Sequence, residues 1–304
     1  MRRFSKLPIY LATLSVFLLF LLLSQQLAAQ QWRPVRGGIA FGISGMALVE
    51  QKPDSLDLLV VHDNKEKNQA RFAILSMMGN NQPQYLPLQW PNNIDLPVDL
   101  EALTAVTERG NLSFMALSST GKIYHLNLDK SAKNLAIIKV FSLPNITSKS
   151  NLEGFGLQEI DNQLLVVWAH RGEGEDPANI YWGTLDLSNY KIEPKGSTIF
   201  QVPWPNSQQV RHISDLKIDK AGVLFISSAT DPGNDGPFNS AVYVAGTFNV
   251  CGDRIAFRKN PELVSLARYE YHKIEGIELV PGVAGGLIVG TDDENMGSFI
   301  YISD

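Results

Sequence analysis

Leu152-Glu153-Gly154-Phe155-Gly156 is followed by Leu164-Leu165-Val166-Val167-Trp168 and then by an aromatic, Tyr181. The first stretch carries one acid among small and apolar residues. The second is almost wholly apolar, and Asp161-Asn162 separates the two. Short apolar runs broken by turn residues read as antiparallel strands joined by hairpins. The same sentence is written four more times. The openings are Ile43-Ser44-Gly45-Met46-Ala47, Leu100-Glu101-Ala102-Leu103-Thr104, Ile213-Ser214-Asp215-Leu216-Lys217 and Ile274-Glu275-Gly276-Ile277-Glu278. The second runs are Leu58 to Val61, Ser113 to Leu117, Val223 to Ile226 and Leu287 to Val289, and the third-strand aromatics are Phe72, Tyr124, Tyr243 and Tyr301.

Fourth-strand candidates follow in four units: Gln84 to Gln89, Leu135 to Leu143, Ser197 to Val202, and Ile255 to Phe257. Aligning Ser44, Glu101, Glu153, Ser214 and Glu275 gives spacings of 57, 52, 61 and 61 residues. A four-strand unit repeating about every fifty residues is a propeller blade. The expected fold is therefore all-β, a five-bladed β-propeller with four antiparallel strands per blade. The fifth unit ends after its third strand, so the segment Trp32 to Ile39 is expected to supply its outer strand and close the ring.

The N-terminus reads differently. Arg2, Arg3 and Lys6 precede an apolar run from Pro8 to Leu23, and small residues follow, with Ala28-Ala29 as a cleavage site. Charged, apolar, small is the order of an export signal. The run of about sixteen residues is shorter than the roughly twenty that span a bilayer. Residues 1–29 are thus expected to be a signal peptide, with an uncleaved anchor as the alternative. Residues 30–304 form the domain, secreted or periplasmic, with no stable membrane span after cleavage. Removing three basic residues from 26 leaves the mature chain with 31 acidic ones and a net charge near −8. That surplus argues against a nucleic-acid partner. The lone Cys251 excludes an internal disulfide, and no nucleophile elbow, phosphate loop or dinucleotide loop is present.

In a propeller the innermost strand of each blade lines the channel, so Ser44, Glu101, Glu153, Ser214 and Glu275 are expected to form a ring of oxygens. Three carboxylates facing one another need a proton or a counter-ion. Calcium, which takes six to eight oxygen ligands, is the expected cofactor, with a hydrated channel as the alternative. This order of residues, with Lys273-Ile274-Glu275-Gly276-Ile277-Glu278, resembles the calcium-activated nucleotidases. That family is a five-bladed propeller whose blades supply Ser, Glu, Glu, Ser and Glu to one calcium.

The resemblance implies a calcium-dependent nucleotide or other phosphoester hydrolase. Arg171, Arg211, Lys65 and Lys273 would then clamp phosphate oxygens, and Asp63, Asp292 or Asp293 would orient water. The other reading is an exported binding protein that takes a small-molecule anion, a glycan or a peptide at the channel mouth.

Overall fold

The structure is a computed structural model that describes residues 31–303, apart from 109, 132, 148, 149, 253 and 283–285. The expected signal peptide lies outside the described residues. Each second run is apolar on both faces of its strand: Leu58, Leu59, Val60 and Val61 are all fully buried. A strand buried on both faces must be covered by a sheet on either side, and five sheets stacked around an axis provide this cover.

The first blade is β2 (Gly45–Lys52), β3 (Ser55–Val61), β4 (Phe72–Met78) and β5 (Gln84–Pro87), hydrogen-bonded in that order. The second is β6 (Leu100–Glu108), β7 (Asn111–Ser118), β8 (Lys122–Asp129) and β9 (Asn134–Ser142). The third is β10 (Leu152–Ile160), β11 (Gln163–His170), β12 (Ala178–Asp186) and β13 (Lys191–Phe200). The fourth is β14 (Val210–Ile218), β15 (Val223–Thr230), β16 (Asn239–Cys251) and β17 (Arg254–Lys259). The fifth is β19 (Ile274–Leu279), β20 (Leu287–Thr291), β21 (Ser298–Ser303) and the N-terminal β1 (Arg33–Arg36). All pairings between these strands are antiparallel. β1 runs beside β21 with Arg33 opposite Ile300, so the two ends of the chain complete one blade as expected.

The fourth blade differs from the expectation. β16 is thirteen residues long and carries two partners: β17 along its second half and β18 (Ser265–Glu270) along its first. β18 alternates in burial, but Leu266 falls with Arg268 and Glu270 on the exposed side, so its apolar residues do not mark one face in the sequence.

Apolar clusters lie between neighbouring blades. Phe72 stacks on Trp90, which meets Tyr124 edge-on, joining blades one and two. Trp182 packs against Phe248 and Phe257, joining three and four. Burying one such side chain contributes on the order of 1.5–3 kcal/mol.

A belt of polar contacts ties the innermost strands together. Leu157 N donates to Thr104 Oγ1 (3.3 Å), Ile277 N to Asp215 Oδ2 (2.9 Å) and Leu48 N to Glu278 Oε2 (3.3 Å). Lys217, buried, reaches from blade four to the carbonyl of Leu103 in blade two at 2.7 Å. Among the described residues, no helix is long and apolar enough to cross a membrane.

Candidate functional site

Three of the five expected ring residues share one backbone feature. Leu152 pairs with His170 and Gly154 with Ala169, leaving Glu153 unmatched across the ladder. Glu101 is unmatched in the same way between Leu100 and Ala102, and Glu275 between Ile274 and Gly276. Each glutamate is thus the extra residue of a β-bulge at the head of an innermost strand. A bulge re-aims its side chain away from the pleat. Ser44 immediately precedes the Gly45–Val61 pair and is buried.

Blade four breaks the pattern. Val210 pairs with Thr230 and Arg211 with Ala229, but the next match is Asp215 with Ser227. Two additional residues lie in this bulge, so Ser214 falls past the ring position. Its hydroxyl donates to Ile274 O at 2.7 Å and lies 3.1 Å from Ser227 Oγ, a strand-to-strand tie. The ring position is taken by Arg211, the second residue of its strand as the glutamates are of theirs. The ring therefore reads Ser44, Glu101, Glu153, Arg211, Glu275.

Arg211 supplies charge to both neighbours. Its Nη1 lies 2.7 Å from Glu275 Oε1 and 3.4 Å from Glu153 Oε1, and its Nη2 pairs with Asp231. Arg171 adds a 3.0 Å contact to Glu153 Oε1 and another to Glu173. Lys273, almost fully buried, contacts Glu275 (3.2 Å), Asp292 (3.3 Å) and Glu294. Lys65 pairs with Asp99 at 2.9 Å. Burial opposes the charge on Arg211 and Lys273, yet the surrounding carboxylates outweigh it and raise both pKa values.

Even so, carboxylates outnumber cations. Asp63, Asp99, Glu101, Glu153, Asp231, Glu275, Asp292 and Glu294 face Lys65, Arg71, Arg171, Arg211 and Lys273. Burial, then the charges of Glu153, Asp63, Glu275 and Asp99, pushes Glu101 well above the usual carboxylate range. Burial and Glu275 push Asp63 up to about 6. Burial also raises Glu153, with Arg211 and Arg171 opposing. Asp231 goes the other way: burial would raise it, but Arg211 holds it below its ordinary value. Two oxygens in this cluster are buried with no partner, Ser44 Oγ and Glu153 Oε2.

The three expected water-orienting aspartates divide. Asp63 is half-buried beside the ring, next to His62, whose ring lies 2.5 Å from Gly42 O and whose pKa burial lowers to about 4. Asp292 is buried against Lys273 and raised well above the usual range, burial being the first cause. A Cβ on Gly42 would lie 2.0 Å from Asp292 Oδ1, so the aspartate depends on a residue without a side chain there. Asp293 is engaged on both oxygens: it accepts from Lys273 N (2.7 Å) and Thr291 Oγ1 (3.1 Å), and His272 Nδ1 lies 2.6 Å away. Both of its oxygens are thus engaged in holding the turn at Lys273.

Three of the five expected calcium ligands are engaged by other groups. Ser214 is elsewhere, and the Oε1 atoms of Glu153 and Glu275 are held by guanidinium and ammonium groups. Among the described residues no group of three or more His, Cys, Asp or Glu side chains is arranged to hold a metal ion. Nor do the four expected phosphate clamps stand free, since each is engaged by a carboxylate. The acidic surplus would repel a polyphosphate.

No protein-family model matches the chain, and no curated protein matches it. Solved structures do. A GH43 endo-arabinanase from Bacillus licheniformis aligns with a TM-score of 0.52 at 12% identity, over 90% of this chain and 96% of that one. The α-L-arabinofuranosidase PaAbf62A from Podospora anserina aligns at 0.52 and 9% identity, over 90% and 97%. An endo-1,4-β-xylanase from Bacteroides thetaiotaomicron aligns at 0.55 and 8% identity, over 91% and 92%.

The likeness is one of fold. These matches overturn the resemblance to the calcium-activated nucleotidases, whose fourth ring ligand was read onto Ser214. The backbone register puts an arginine in that place.

Proposed function

We propose that this is an exported glycan-binding propeller whose ligand sits at the channel mouth over the bulged glutamates. The observation that carries the reading is the charge arrangement. Every cation of the expected clamp is already paired, while Glu101 and Asp63 remain as half-buried carboxyl groups without a paired cation of their own among the described residues. Carboxyl groups of this kind hydrogen-bond hydroxyls and do not welcome phosphates. Tyr271, 68% exposed and next to His272 and Lys273, offers an aromatic face at the rim. Aromatic rings with a polar tip suit a ligand that is apolar on one face and hydroxylated on its edges. Structural neighbours acting on arabinan and xylan, and one in complex with cellotriose, are consistent with such a ligand.

The test is calorimetric titration of the full chain with arabino-, xylo- and cello-oligosaccharides. Saturable binding that Glu101→Ala abolishes supports the reading. Absence of binding across the panel, with binding of nucleotides instead, sinks it.

Cleavage is a second reading, favoured by one pairing. Glu101 is pushed well above the carboxylate range, whereas two arginines oppose the rise of Glu153. Neighbouring carboxyl groups driven apart in this way suit a proton donor beside an ionised partner. Release of reducing ends from the same oligosaccharides tests it.

A further inference from the structure

We infer that the glycan taken at the channel mouth carries a protonated amine, bound by Ser44, Glu101 and Glu153. The inference rests on the glycan reading above and deepens it. Three acceptors on three successive blades lack a hydrogen-bond donor. Ser44 Oγ and Glu153 Oε2 belong to residues 1% and 2% exposed, and both atoms are unpartnered. Glu101, half-buried, accepts no hydrogen bond among the described residues.

A buried oxygen left without a donor costs about 1–3 kcal/mol, more for a charged one. Something that donates therefore gains by entering. An ammonium offers three donors and a positive charge, matching three acceptors inside a cluster of net negative charge. A sugar hydroxyl offers one donor and no charge.

Calcium fits less well. It seeks six to eight oxygens, while the remaining oxygen of Glu153 and the nearer oxygen of Glu275 are bound to Arg171, Arg211 and Lys273.

The experiment compares a tetramer of glucosamine with a tetramer of N-acetylglucosamine and with cellotetraose, by calorimetry at pH 6 on the full chain. The glucosamine tetramer is expected to bind at least about tenfold more tightly, a preference that shrinks with salt as charge pairing requires. In Glu101→Gln and Ser44→Ala the preference is expected to collapse. Equal affinity for all three oligosaccharides overturns the amine and leaves the glycan reading standing. Binding of calcium or of an oligolysine peptide, with no oligosaccharide bound, overturns both.

Discussion

Arg211 Nη1 lies 2.7 Å from Glu275 Oε1, and this contact joins blade four to blade five. The same nitrogen is 3.4 Å from Glu153 in blade three. One guanidinium thus stands between two buried carboxylates that would otherwise repel. Arg211→Met is expected to destabilise the fold by about 3–5 kcal/mol at pH 7, since it strands buried charge. The deficit has a definite pH dependence. Without the arginine the folded-state pKa of Glu153, already raised by burial, rises further. The penalty is full above that raised value and disappears below the unfolded value of about 4.3. Urea denaturation at pH 7 and pH 4 measures this, and adding Glu275→Gln is expected to restore part of the loss at pH 7. A deficit equal at both pH values would mean that packing, not charge, is what Arg211 supplies.

Asp63 gives a second pH signature. Its folded-state pKa is raised to about 6 from an ordinary value of 3.8. A raised carboxyl binds its proton more tightly when folded, so its effect on stability is neutral below about 4 and increasingly unfavourable up to about 6. Asp63→Asn is expected to leave the urea midpoint unchanged at pH 4 and to raise it at pH 7. Unchanged stability at both would show that Asp63 titrates normally.

The frame of the molecule was legible because its strands obey one rule five times. Residues such as Leu58 to Val61 and Leu164 to Trp168 are apolar on both faces, and only stacked blades bury both faces. The ring was partly legible. Glu101, Glu153 and Glu275 stand at like positions in like strings, and their bulges coincide. The place of Ser214 past the bulge was not legible because a bulge has no periodicity: two additional residues between Arg211 and Asp215 shift the register without changing the local pattern. Asp292-Asp293 was visible as a pair, but nothing in two adjacent aspartates reveals that one is engaged by Lys273 N, Thr291 and His272.

Gly45 is where two innermost strands touch. A Cβ there would lie 2.8 Å from Ala102 Cα and from Leu103 N, which are backbone atoms that cannot swing aside. Gly45→Ala is expected to cost about 1–3 kcal/mol by forcing blades one and two apart. Gly79→Ala, on an outer turn with nothing within 4 Å but a φ of +50°, isolates the backbone contribution. If the two variants lose equal stability in thermal denaturation, the contact between the strands is not tight.

Calcium removal separates the charge-paired ring from a metal-held one. Arg211 and Lys273 already balance Glu153 and Glu275 from within the chain. Prolonged chelation is therefore expected to leave the melting temperature unchanged, and added calcium is expected not to raise it. A ligand that binds only the folded state raises the melting temperature in proportion to its excess over Kd. A calcium-dependent rise, with stoichiometric calcium by elemental analysis, would return Glu101 and the unpartnered Glu153 Oε2 to the role of metal ligands.

The last blade depends on four residues from the other end of the chain. β1 covers β21, with Arg33 opposite Ile300 and Pro34 opposite Phe299. Val35 is buried in the cluster between blades five and one, and Arg33 Nη1 donates to Gly79 O in blade one at 2.7 Å. Without β1 the outer edge of β21 presents unpaired N–H and C=O groups, and an open edge pairs with other chains. A chain beginning after residue 37 is expected to self-associate, as sedimentation would show, and to lose thermal stability. Val35→Asp, which keeps the strand but buries a charge, is expected to reproduce the loss of stability. A truncated chain that stays monomeric and melts where the full domain does would show that three strands suffice for blade five, and that β1 is an ornament of the ring and not its clasp.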